Sequence, residues 1–258
     1  MYPPSGTPFH DEATAAFRQE TNNVNFQPGV MTWISLGVLL VFYPALSILS
    51  MGEDTAALLK SLTEGTLAVL LIVTILMQWA IYAINYGAVY LEGTGLAGVG
   101  LVRIRGVDFA WGIAFLLAAN VILSGVAWVL GQVGLPMPGE IQMLIPSSAS
   151  GRVIWVAVSF TAGFCEEIAF RGYLMTRIRL LTKVKSWIIP AVISAVVFGV
   201  SHGYQGLPGV ILLSIYGLMF SLLYIRTGRL WPCIIAHFFQ DFIALFAPWI
   251  DRYFQLGN

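Results

Sequence analysis

The sequence predicts an all-α protein, a polytopic bundle of seven to eight transmembrane helices. Two observations support this fold class: 58% of the residues are hydrophobic and only 10% are charged, and the mean hydropathy is +0.81. No ten-residue alternating pattern typical of a membrane β-barrel is visible. The 13 basic residues balance the 13 acidic ones, so the composition indicates no nucleic-acid partner.

Seven apolar stretches are close to the length that crosses a hydrocarbon layer of about 30 Å. Residues 1–29 are polar and are predicted to be a tail, since they lack the pattern of a signal peptide. Residues 30–150 hold three spans that would form a scaffold, residues 151–250 hold four more, and residues 251–258 would be a C-terminal tail. The predicted spans are 30–50, 65–91, 107–133, 152–176, 187–203, 209–226 and 231–250.

The basic residues predict the orientation of the bundle. Most of them follow spans two, four and six, and the positive-inside rule then places these span ends and the N-terminus in the cytoplasm. They are Arg103, Arg105, Arg177, Arg179, Lys183, Lys185, Arg226 and Arg229. The group from Arg177 to Lys185 is also a candidate contact for anionic lipid headgroups.

Strongly polar residues inside the predicted spans occur late in the chain. A charge near the bilayer centre costs about 2.5–3.5 kcal/mol, so such residues indicate a protein-lined cavity with a function. Spans one to three offer only weakly polar groups such as Gln78, and we therefore expect the functional residues in the C-terminal half. They are Glu166, Glu167 and Arg171 on span four, His202 on span five, and His237 and Asp241 on span seven.

Helical spacing assigns different roles to the residues of span four. Glu167 and Arg171 are four residues apart, so they lie on one helix face and are predicted to form an ion pair. Glu166 is rotated by about 100° from Glu167 and is freer to face a cavity. A purely structural role for the Glu167–Arg171 pair is an equal alternative.

The histidines have partners at the same spacing. Asp241 follows His237 by one helical turn, so the carboxylate can orient the imidazole or share a ligand with it. Phe198 precedes His202 by one turn, and its ring can cover one side of that imidazole.

Two chemistries fit these residues. Glu166 could act as a general base toward water, or Glu166, His202 and His237 could hold a zinc ion that acidifies its bound water. Counted from the predicted cytoplasmic ends, the three side chains lie at unequal depths of about 15, 22 and 9 Å. Their convergence therefore requires tilted helices, and separation of Glu166 from His202 would exclude the catalytic hypothesis.

The three spaced motifs, Glu166-Glu167-x-x-x-Arg171, Phe198-x-x-x-His202 and His237-x-x-x-Asp241, resemble those of the CPBP family of intramembrane proteases. That family includes CAAX prenyl endopeptidases, Abi-type proteins and bacteriocin-processing proteins. The resemblance covers roughly residues 152–245. It implies a membrane endopeptidase that acts on a membrane-associated protein or peptide in a prokaryotic-type plasma membrane.

By this resemblance, Glu166 is the general base, assisted by His202, and no metal is obligatory, with zinc as the alternative. His237 and Asp241 would bind the oxyanion or position the substrate carbonyl, and Glu167 with Arg171 would support them. Eukaryotic prenyl endopeptidases usually carry Asn where this chain has Asp241, and nothing in the sequence implies a prenylated substrate. The rival functions are a non-catalytic immunity or scaffold protein of the same fold, and a proton-coupled transporter.

Overall fold

The computed structural model of the protein describes residues 26–50 and 53–246, and within these ranges it contains helices and loops but no strand. The predicted all-α fold class is confirmed. Most of the predicted N-terminal tail, residues 1–25, and the whole predicted C-terminal tail, residues 251–258, lie outside the described residues.

Eight helices are present in the described part of the chain. They are α1 Val30–Leu49, α2 Glu53–Ser61, α3 Glu64–Leu91, α4 Gly106–Gln132, α5 Ala149–Thr182, α6 Ile188–Val200, α7 Gly206–Thr227 and α8 Trp231–Ala244. Helix α2 was not predicted, because its sequence mixes charged and apolar residues. Two helices contain a π-helical turn, α1 at Val38–Phe42 and α5 at Ile168–Leu174.

Five of the helices, α1, α3, α4, α5 and α7, are long and apolar enough to cross a membrane. Large apolar side chains on their outer faces are exposed, as expected for surfaces that contact lipid. Helices α6 and α8 have only 13 and 14 residues, or about 20 Å each. They are shorter than predicted spans five and seven, and residues 247–250 of span seven lie outside the described residues.

The great length of α5 removes the predicted difference in depth. This helix continues to Thr182 instead of ending near residue 176, and it has 34 residues. Glu166 is therefore roughly 24 Å from the end of α5 that is predicted to face the cytoplasm, and His202 is roughly 21 Å from the start of α6. The two side chains reach the same level without unusual tilt.

Helix α8 begins in contact with the loop that connects α3 to α4. The Leu230 N–H donates to the Gly100 carbonyl at 2.9 Å, and the Trp231 indole N–H donates to the Val102 carbonyl. Just before the helix, the buried Arg229 guanidinium pairs with Asp108 at 2.7 Å. These contacts fix where α8 starts.

Close packing at glycines brings the central helices together. Helix α5 packs between α3 and α8, and α6 pairs with α7. A Cβ atom at Gly163 of α5 would lie 2.9 Å from the Phe238 nitrogen of α8, and one at Gly199 of α6 would lie 2.5 Å from the Val210 carbonyl oxygen of α7. Only glycine permits these two approaches, which bring α8 against α5 and α7 against α6.

One predicted lipid contact needs correction. The Arg177 side chain is 1% exposed, and its Nε and Nη2 atoms both donate to Oε2 of Glu92. Arg177 therefore stabilises the junction of α3 with α5 and is not available to lipid headgroups. The predicted orientation, with the N-terminus in the cytoplasm, stays a prediction.

Candidate active site

Glu166 occupies the centre of a buried polar cluster between α3, α5, α6 and α8. Its side chain is 6% exposed, and its Oε1 atom accepts a hydrogen bond of 2.7 Å from the Gln78 amide. Its Oε2 atom has no hydrogen-bond partner and lies 3.9 Å from His202 Nε2 and 4.0 Å from His237 Nε2. One free carboxylate oxygen thus faces two imidazole nitrogens.

His202 follows the end of α6 and is oriented by the backbone of its own helix. Its Nδ1 atom lies 2.8 Å from the Phe198 carbonyl oxygen. Because a carbonyl can only accept, Nδ1 carries the proton, and Nε2 of the neutral ring presents its lone pair to Glu166. The Phe198 ring covers the imidazole, with the ring centroids 4.7 Å apart, as its spacing predicted.

His237 is oriented by a carboxylate from another helix. Its Nδ1 atom lies 2.8 Å from Glu167 Oε1, so this nitrogen also carries a proton and Nε2 faces the cluster. The spacing predicts that Asp241 either orients this imidazole or shares a ligand with it. Asp241 Oδ2 instead lies 3.7 Å from His237 Nε2, beyond hydrogen-bond distance, and the Asp241 side chain is 33% exposed.

The predicted ion pair of Glu167 with Arg171 is present and fully buried. Arg171 Nη1 donates to Glu167 Oε1 at 2.8 Å, and Nη2 donates to the Gly217 carbonyl at 3.2 Å. The guanidinium also lies between two aromatic rings, with Cζ 4.3 Å from the Phe198 centroid and 4.8 Å from the Phe220 centroid. One Glu167 oxygen therefore joins the arginine to His237.

The π-helical turn Ile168–Leu174 starts directly after the two glutamates. All seven of its residues are buried, which leaves no solvent to satisfy a distorted backbone. Such turns are uncommon and occur often at functional sites, because they change the direction of side chains along a helix. Here the turn carries Arg171 into the space between Phe198 and Phe220.

One polar side chain of the N-terminal half also reaches the cluster, where the sequence predicted groups from the C-terminal half. Gln78 of α3 is 5% exposed and donates directly to Glu166, although 88 residues separate the two in the chain. An isolated amide in an apolar span gives no motif or spacing that links it to the site. Its only signal in the sequence is its polarity within a lipid-spanning helix.

The donor atoms do not fit a tetrahedral zinc ion as they are arranged. Zinc bonds of 2.0–2.1 Å require donor atoms about 3.3 Å apart, and the Glu166–histidine separations exceed this by about 0.6 Å. Across residues 26–50 and 53–246, no group of three or more His, Cys, Asp or Glu side chains is arranged to hold a metal ion.

A comparison with protein-family models matches residues 148–243 to the family described as Rce1-like, type II CAAX prenyl endopeptidase Rce1-like. The matched segment begins at the residue that caps α5 and ends in α8, so it contains Glu166, His202, His237 and Asp241 but not Gln78. Neither the curated proteins nor the solved structures give a match. With its long apolar helices, the chain is an integral membrane protein, and its residues 148–243 match the Rce1-like family model, which is consistent with the CPBP/CAAX protease family.

Proposed function

We propose that this protein hydrolyses a peptide bond of a membrane-associated protein or peptide with a water molecule activated by Glu166 and His202. The position of Glu166 Oε2 carries the proposal. This buried, unbonded oxygen lies 3.9 Å and 4.0 Å from two imidazole nitrogens. A water molecule at normal hydrogen-bond distance from Oε2 and from an imidazole nitrogen fits each of these separations.

Glu166 is the proposed general base. The water oxygen forms a bond to the scissile carbonyl carbon while its proton passes to Glu166 Oε2, and the carbonyl π electrons move to oxygen. The C–N bond then breaks, and the proton held by Glu166 passes to the leaving amine nitrogen. The electron pair on the oxyanion re-forms the carbonyl as the C–N bond breaks, and the Glu166 carboxylate is regenerated. General-base catalysis of this kind contributes about 10²–10⁴-fold.

The two histidines receive different roles because different groups orient them. His202 is held by a neutral carbonyl, so its Nε2 lone pair is suited to accept the second water hydrogen and fix the direction of attack. His237 is held by Glu167, and that carboxylate stabilises the imidazolium form, in which Nε2 carries a proton as well as Nδ1 before the reaction begins. His237 is thus the proposed donor to the oxyanion, and Asp241 at the exposed edge positions the substrate.

We further propose that the reaction needs no metal ion. The proposal is based on the donor separations, which are longer than a tetrahedral zinc site requires, and on a water position that the carboxylate and imidazoles can bind directly. Glu167 and Arg171 act behind the site, where their ion pair holds His237 in place.

Peptide cleavage by the purified protein in detergent tests the proposal. The probes are fluorescence-quenched peptides with an apolar segment, with and without a C-terminal prenylated cysteine. We expect Glu166→Gln and His202→Ala to lose activity by about 10²-fold or more. Glu64→Gln is the matched control, because Glu64 bonds to Ser147 and Ser148 far from the cluster.

A chelator distinguishes the two chemistries, and the variants distinguish the rival functions. We expect parent activity to survive chelation, and loss on chelation with recovery on added zinc would refute the metal-free mechanism. Equal cleavage by the parent and by Glu166→Gln would remove Glu166 from the chemistry. Absence of cleavage for every probe would favour the non-catalytic scaffold.

A further inference from the structure

We infer that Gln78 is a positioning residue for Glu166, supplied by the part of the chain that precedes the family segment. This inference rests on the proposed role of Glu166 as general base. Gln78 lies on α3, and its Nε2 atom is 2.7 Å from Glu166 Oε1. The site would then be incomplete without the N-terminal helices.

The direction of the Gln78 amide follows from the chemistry of its partner. An ionised carboxylate only accepts hydrogen bonds, so at 2.7 Å the amide must present its N–H and not its oxygen. The amide oxygen then points away and, although buried, has no hydrogen-bond partner. The amide is therefore satisfied on the side of Glu166 and unsatisfied on the other.

This contact decides where the second oxygen of Glu166 points. Rotation about the last side-chain bond of Glu166 exchanges its two carboxylate oxygens at little energetic cost, so the side chain alone would not hold one orientation. When Gln78 binds Oε1, rotation is restricted and Oε2 stays directed at His202 and His237. Gln78 thereby selects the oxygen that meets the water.

One further polar side chain, Tyr43, lies close to Gln78 and Glu166. A cavity of about 10 Å³ adjoins Gln78 and Glu166, and Tyr43 lines it together with apolar side chains such as Leu39, Ile81 and Phe170. This volume is at the lower limit for a single water molecule. A shorter side chain would enlarge the cavity and could admit a water that donates to Oε1, so an unbranched apolar residue of similar length is the sharper test.

Catalysis, and not stability, separates a positioning role of Gln78 from a structural one. Gln78→Met removes the unpaired amide oxygen, but it also leaves the buried Glu166 Oε1 without its hydrogen-bond donor. A loss of unfolding free energy is therefore expected under either role. If the residue served only to join α3 to α5, the kcat of the folded fraction would be unaffected.

The experiment compares Gln78→Met with the matched control Asn85→Leu. Asn85 is a buried amide two turns further along α3, and it bonds to Ser35 and to the Ile81 carbonyl, away from the site. We expect Gln78→Met to lower kcat by roughly 10- to 100-fold, with KM little changed, since the general base is misdirected while substrate contacts remain. Asn85→Leu should lose stability and keep the kcat of its folded fraction.

A spectroscopic readout separates this inference from the proposed function. The infrared carboxyl band of Glu166 is obtained as the difference between the parent and Glu166→Gln. We expect this band to shift in Gln78→Met and not in Asn85→Leu. An unmoved band, or an unchanged kcat in an active parent, would overturn the positioning role of Gln78. Absence of cleavage by the parent, with a shifted band, would overturn only the proposed chemistry.

Discussion

Replacement of Arg171 by Met should separate the stability of the protein from its activity. Without the guanidinium, Glu167 is a buried carboxylate whose charge has lost its ionic partner, and breaking a buried pair in this way costs about 3–5 kcal/mol. The contacts with Phe198 and Phe220 add about 0.5–1 kcal/mol each. The total loss, about 4–7 kcal/mol, is comparable with the whole stability of many domains.

The double variant Glu167→Gln/Arg171→Met tests this reasoning. The Glu167→Gln substitution removes the charge that Arg171→Met leaves unpaired. We therefore expect the double variant to recover about 2–3 kcal/mol of the unfolding free energy relative to Arg171→Met alone. Activity should not return, because the neutral amide cannot stabilise charge on His237 as the carboxylate does. Unfolding in mixed micelles, followed by tryptophan fluorescence, and peptide cleavage measure the two effects. A double variant no more stable than Arg171→Met alone would refute the reasoning.

Two further substitutions test the site and its frame. Asp241→Asn should keep activity within about tenfold of the parent in the peptide assay, since an amide can still contact the substrate carbonyl. Asp241→Leu should lose more activity. Equal losses in the two variants would show that the charge of Asp241 itself is needed. Gly199→Ala should lower the unfolding free energy by about 1–3 kcal/mol, because its Cβ would lie 2.5 Å from the Val210 carbonyl oxygen, and should reduce cleavage by moving His202. Gly125→Ala is the control, with no atom within 4 Å of its Cβ, and a Gly199→Ala protein as stable as this control would contradict the packing argument.

The sequence was sufficient for the parts of the fold that depend on local pattern. Hydropathy predicts the apolar helices, and the four-residue spacing predicts the Glu167–Arg171 pair, because both properties are visible within one helix. The same reasoning misjudged the end of α5. Residues 177–182 include Arg177 and Arg179, which end a hydropathy window but do not end a helix.

The contacts between helices that are far apart in the sequence could not be predicted from patterns within one helix. The spacing of His237 and Asp241 indicates a contact, but the nearer carboxylate is Glu167, which comes from another helix through the close approach at Gly163. Gln78 was overlooked for the same reason, because its partner lies on a different helix. The roles assigned to Glu166, His202, His237 and Asp241 stay proposals.

The π-helical turn of α5 makes the number of residues in this segment as important as their identity. In a helix, one residue added or removed rotates everything beyond it by about 100°. The turn Ile168–Leu174 separates Glu167 from Arg177, which pairs with Glu92 of α3. A single-residue deletion between these positions would put the two ends of α5 out of phase, so that Glu166 and Glu167 could not face the histidines while Arg177 pairs with Glu92.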